Sequence, residues 1–142
     1  MSWLPKGAVV VPIDFSDLCF EALEEALEFV VDASHLRAIH VLPPLSAMEP
    51  GVVWGTVDDE GRKKHAEEAL RKRLSDSKYE AINVTIAIGD PGHEIVRCAE
   101  EIKADLIILP SHGRTGAKRL LIGSVADRVA RLSHCPVLVL RK

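Results

Sequence analysis

The run Ala8-Val9-Val10-Val11-Pro12-Ile13 contains no polar side chain and shows no alternation. Successive side chains of a β-strand point to opposite faces, so a run of this kind is apolar on both. Such a strand must be covered from both sides, as in a parallel sheet flanked by helices. Leu106-Ile107-Ile108-Leu109 and Val137-Leu138-Val139-Leu140 repeat the pattern, and Leu36 to Leu42 and Ala81 to Ile88 supply two further strands. Helical patterns lie between them. Ser16 is placed to cap a helix from Asp17 to about Val31. Asp58 to Ser75 reads as a second helix, with acids in its first turn and Arg71, Lys72 and Arg73 in its last, in accord with the helix dipole. Asp90 and Pro91 open a third, as cap and first helical residue, that runs to about Lys103. A fourth spans about Ser124 to Leu132, and Ser124 with Asp127 resembles a capping box. The alternation predicts an α/β fold: an open five-stranded parallel sheet, Rossmann-like, with helices on both faces and right-handed crossovers. With strand order 3-2-1-4-5 the first and fourth strands are neighbours where the winding reverses, the place where such sheets bind ligands. Asp14 then lies beside the segment that follows the fourth strand.

That segment, Pro110 to Ser124, holds three glycines, three cations, two serines and no acid. Glycine lets backbone N–H groups approach phosphate oxygens closely, and a helix start adds partial positive charge. The composition suits a polyanion such as a nucleotide phosphate chain. A net charge of −3 exerts no global pull on nucleic acid or an anionic membrane, so the anion site is local and no nucleic-acid partner is expected. The 142 residues fit a single domain over 1–142, which buries roughly 68–70% of its unfolded surface. Cys19, Cys98 and Cys135 have neither metal nor redox spacing and read as reduced thiols. The amino terminus has no signal-peptide pattern, and no apolar run nears the ~20 residues needed to span a bilayer. A soluble cytoplasmic protein is the expectation. Residues 43–57 mix prolines and glycines with Leu45, Met48, Val52, Val53 and Trp54, which suggests a flap or an interface segment.

Val11-Pro12-Ile13-Asp14-Phe15-Ser16, Ile39-His40-Val41, Gly89-Asp90-Pro91, Ser111-His112-Gly113, Gly123-Ser124 and Cys135-Pro136-Val137-Leu138-Val139-Leu140 together resemble the universal stress protein family. The resemblance covers essentially the whole chain and implies the adenine nucleotide alpha hydrolase-like version of the fold. Nucleotide-binding members carry Gly-x2-Gly-x9-Gly-[Ser/Thr]; here the pattern is Pro110-x2-Gly113-x9-Gly123-Ser124, similar to the ATP-binding branch with Pro110 in place of the first glycine. By position, the resemblance implies that Asp14 accepts from the adenine amino group, the Val41 backbone meets the base edge and the Pro12 carbonyl faces the ribose. It likewise implies that Gly113, Gly123, Ser124 and Val125 hold phosphates through N–H groups, with the Ser124 hydroxyl added. Arg114, one residue beyond Gly113, is placed to pair with a terminal phosphate. Pro110 lacks an N–H, and Ala126 stands where such members often have a hydroxyl. Two lost hydrogen bonds, at about 0.5–1.5 kcal/mol each, weaken binding roughly tenfold to a hundredfold without abolishing it.

The expected ligand is therefore ATP, ADP or AMP, and a Mg2+ ion bridging phosphates is compatible with bound ATP. A metal site built from protein side chains is not expected, since the histidines lack ligand spacing. Gly-x4-Gly-Lys-[Ser/Thr] is absent and no general base stands out, so fast turnover is not expected. Two alternatives stay open: a slow ATPase, and a nucleotide-free dimeric stress or interaction protein. Asp14 has a local reading too, as the start of an Asx turn. The apolar last strand, 136–141, is an edge that a second copy can cover across a twofold axis; the family resemblance also implies that homodimer.

Overall fold

β1 (Val9–Pro12) feeds two cores at once: Val9 and Val11 face one, Val10 the other, and all three are fully buried. That double burial is the reason its sequence does not alternate. A computed structural model of the chain describes residues 3–45, 58–112 and 122–141. Beside β1 the sheet contains β2 (Leu36–Leu42), β3 (Asn83–Ile88), β4 (Leu106–Pro110) and β5 (Val137–Leu140). Its order is β3-β2-β1-β4-β5 with every ladder parallel, as the alternation of elements predicts.

Helices α1 (Asp17–Ala26) and α2 (Asp59–Arg73) cover one face, and α3 (Pro91–Glu101) and α4 (Ser124–Leu132) the other. α1 buries Cys19, Ala22, Leu23 and Ala26, the i, i+3, i+4, i+7 stripe of an amphipathic helix. Its cap is Ser16, whose side chain accepts from the Cys19 N–H at 3.3 Å. α1 passes into a 3-10 turn over Leu27–Phe29 and ends two residues before the predicted Val31. The Lys6 N–H donates to the Phe29 carbonyl at 2.7 Å and Lys6 bridges Val30 in parallel, which draws Val30 into an extended conformation. α2 begins after Asp58, which caps it through the Gly61 N–H at 2.6 Å, and only Leu70 within it is buried. α3 starts as predicted, with Asp90 as cap and Pro91 at the first helical position.

The two ladders beside β1 differ in length. β1 follows β2 from Val9↔Leu36 to Pro12↔Ile39, and the Ile13 N–H still donates to the Ile39 carbonyl at 2.7 Å. Against β4 it pairs only at Val9↔Leu106 and Val10↔Ile107. β4 stays with β5 to Pro110↔Leu140, and the Ser111 N–H donates to the Leu140 carbonyl at 2.8 Å. Successive backbone groups of a central strand address alternate neighbours. Ile13 donates to β2, so the Pro12 nitrogen faces β4; Ser111 donates to β5, so the Pro110 nitrogen faces β1. Neither proline has an N–H to give. Neither position therefore offers a donor between β1 and β4 beyond Val10↔Ile107, where the sheet opens at its carboxyl end.

Candidate functional site

The opening between β1 and β4 is a cavity of about 410 Å³, within the usual range of roughly 300–1,000 Å³ for ligand pockets. Pro12, Asp14, Val41, Pro110, Gly123, Ser124 and Val125 all line it. Of the remaining residues singled out in the sequence, Gly113 and Arg114 lie outside the described residues, as do 46–57 of the 43–57 segment. The walls are mostly apolar: Ile39 from β2, Leu109 from β4, Ile95 from α3, and Ile122 ahead of α4. Asp14, two residues beyond β1, and Ser111, one beyond β4, add polar groups to the lining.

Asp14 belongs to a tight turn. Its Oδ1 accepts the Ser16 N–H at 3.0 Å, so the Asx turn and the cavity position coexist. Phe15, between them, has φ 67°, the left-handed region that a bulky side chain seldom enters. Cys19 also lines the cavity, and its thiol donates to the Ser16 carbonyl at 3.1 Å. Burial pushes that thiol up to about 11, so it stays protonated near neutrality and is a poor nucleophile.

At the opposite wall, Gly123 is the cap residue of α4. Its N–H donates to the Ser111 carbonyl at 2.6 Å. What demands glycine is proximity: a Cβ would lie 2.9 Å from the Ser111 oxygen and 3.4 Å from the His112 Cα. The first intrahelical bond runs from the Asp127 N–H to the Gly123 carbonyl at 2.9 Å. Ser124, Val125 and Ala126 therefore carry the helix-start N–H groups with no intrahelical acceptor. The capping-box reading is corrected. Ser124 is the first helical residue, and the Asp127 carboxylate pairs with Arg131 Nε at 3.0 Å instead of reaching back.

The start of α3 is tied to the middle of α4 outside the cavity. Asp90 accepts from the His93 N–H at 3.1 Å, from His93 Nδ1 at 2.7 Å and from Arg128 Nη1 at 2.9 Å. The His93 hydrogen bonds, with Arg128 adding to them, hold the Asp90 carboxyl at about 2. Pro91, next to Asp90, lines the cavity.

Sequence reasoning missed Ile13, Cys19, Ile39, His40, Pro91, Ile95 and Leu109 as lining residues. Strand periodicity contains a signal for one of them. Once Val41 is placed at the cavity, Ile39 follows on the same face of β2.

Residues 7–141 match the sequence pattern of the universal stress protein family. The chain belongs to this family. A universal stress protein of Methanocaldococcus jannaschii is 36% identical over 140 residues, covering 94% of this chain and 81% of that protein. A second universal stress protein of the same archaeon has a solved structure that superposes with a TM-score of 0.75 at 31% identity, covering 98% of both chains. A solved universal stress protein in complex with cAMP is 25% identical, with a TM-score of 0.60, and covers 96% of this chain and 97% of its own. Among the described residues, no helix is long and apolar enough to cross a membrane.

Proposed function

We propose that this universal stress protein is a single-domain, cytoplasmic module for stress response or signalling that binds an adenine nucleotide (ATP, ADP or AMP) without fast turnover. The observation that carries the reading is convergence. Pro12, Asp14, Val41, Pro110, Gly123, Ser124 and Val125 are scattered through the sequence, yet they line one cavity at the switch point of the sheet. The chemistry of the walls fits a nucleotide. Ile39, Val41, Ile95 and Leu109 suit a flat base, Asp14 is a carboxylate able to accept from an exocyclic amine, and the N–H groups of Ser124, Val125 and Ala126 suit phosphate oxygens. The cAMP complex of a relative supports the same ligand class. Gly113 and Arg114 complete the proposed phosphate contacts, and Mg2+ can bridge the phosphates of ATP. A homodimer through 136–141 accompanies the reading, since β5 pairs with β4 on one side only within the described sheet.

Two measurements test this. Mass spectrometry of the small molecule released when the purified protein is denatured should find an adenine nucleotide. Calorimetry on the stripped protein should show saturable binding of ATP, ADP or AMP at or below millimolar concentration. No uptake of any of the three would overturn the reading. Steady phosphate release from ATP that disappears in a Gly123→Val variant would move it to a slow ATPase.

A further inference from the structure

The histidine beside Val41 has a tertiary partner that nothing in its local sequence announces. His40 Nδ1 lies 2.7 Å from the Ile13 carbonyl, across 27 positions of chain. A carbonyl has no hydrogen to give, so Nδ1 donates and the ring carries its proton there. The same ring meets Phe15 edge to face, with centroids 4.8 Å apart and planes at 79°. His40 thus holds the residues on both sides of Asp14: the backbone before it by a hydrogen bond, the side chain after it by a ring contact. Phe15 sits at φ 67°, a conformation that persists only when its surroundings enforce it. Asp14 lines the cavity between these two anchors, and so does His40.

We propose that His40 is a positioning residue for base selectivity: chiefly through its hydrogen bond to Ile13 it fixes the Asp14 carboxylate where an exocyclic amino group can donate to it. The inference rests on the adenine-nucleotide reading and goes beyond it by naming the residue that sets the discrimination. A carboxylate displaced by a fraction of an ångström still occupies the cavity but no longer distinguishes an amino group from a carbonyl at the same ring position. His40 therefore acts on selectivity more than on phosphate binding, which is built from the separate start of α4.

The experiment compares ATP with ITP, which replaces the amino group by a carbonyl, in full-length wild type, His40→Leu, His40→Gln and His40→Asn. The Asn amide nitrogen stands the same number of bonds from Cα as Nδ1 and can keep the bond to Ile13; the Gln amide stands one bond further out. The wild type should prefer ATP by about tenfold or more, the discrimination expected when a polar group is left unpaired. His40→Leu and His40→Gln should bring the ratio near one while affinity for inorganic triphosphate is unchanged, and His40→Asn should keep it. Hydrogen exchange of the Ser16 amide, which donates to Asp14 Oδ1, gives a readout without ligand. It should quicken in His40→Leu and His40→Gln and stay at the wild-type rate in His40→Asn. If His40→Leu does not fold, the Asn and Gln variants decide the matter by themselves. Equal ATP-to-ITP ratios in those two would overturn the proposal. A wild type that takes up neither nucleotide overturns the proposed function, and the Ser16 exchange rates then show separately whether His40 holds the turn.

Discussion

Pro110 and Gly123 show how much a single residue's meaning depends on its neighbours. The Pro110 nitrogen faces β1 across the open end of the sheet, where a donor would point into the cavity rather than into a ladder. Pro110→Gly should therefore tighten ATP binding by up to about tenfold, one hydrogen bond's worth at about 1.4 kcal/mol per decade; a calorimetric titration that shows weaker binding would mean the restored N–H faces something other than ligand. Gly123 sits at φ −60°, which any residue adopts, so its requirement is space. Gly123→Ala brings a methyl against the Ser111 backbone and should cost about 1–3 kcal/mol in urea unfolding, along with at least about tenfold in ATP affinity as the start of α4 is pushed away. Sequence spacing singled out both positions, and both line the cavity. What it could not supply was the destination of the Gly123 N–H, because Ser111 becomes its acceptor only when the chain returns to the end of β4.

Among the elements, strands and helix starts were legible and some helix ends were not. Caps are local: Ser16, Asp58 and Asp90 each accept from an N–H three residues on, so a short window of sequence contains the whole signal. The end of α1 was misjudged because it is set by Lys6, far upstream, whose N–H claims the Phe29 carbonyl. The α3–α4 junction carries a pH prediction. The Asp90 carboxyl is lowered from an ordinary 3.8 to about 2, chiefly by its hydrogen bonds to His93 and then by Arg128. A carboxyl depressed in the folded state stabilises it above the unfolded value and loses that contribution as pH falls through the folded value. Asp90→Asn should thus be less stable than wild type at pH 7, and the gap should close between about pH 4 and pH 2, as followed by urea unfolding across that range. A gap that is constant with pH would mean that the cap bond to the His93 N–H, not the charge, carries the effect.

For the molecule as a whole, the edges of the sheet decide what it can assemble with. The Ile107 and Ser111 N–H groups donate to the Pro136 and Leu140 carbonyls, so the alternate groups of Val137 and Val139 face away from β4. Val139→Pro removes one outward donor and leaves the β4–β5 bonds in place, a substitution that an edge strand tolerates. It should convert the proposed homodimer to a monomer in light scattering while far-UV circular dichroism stays at the wild-type level; a dimer that survives is held elsewhere. The sequence by itself determined that several strands are covered on both faces, that they run parallel between helices, that the chain carries the family's pattern and that its glycine segment suits phosphate. These are short-range properties: periodicity and caps are written within a few residues. Only the tertiary structure decided that Pro12 and Pro110 face each other across an unpaired gap, that His40 grips the turn holding Asp14 and that Gly123 spends its N–H on Ser111. Each of these depends on which strands become neighbours and where their ladder stops. Local chemistry cannot specify that, because the partners meet only when the sheet has closed around its two cores.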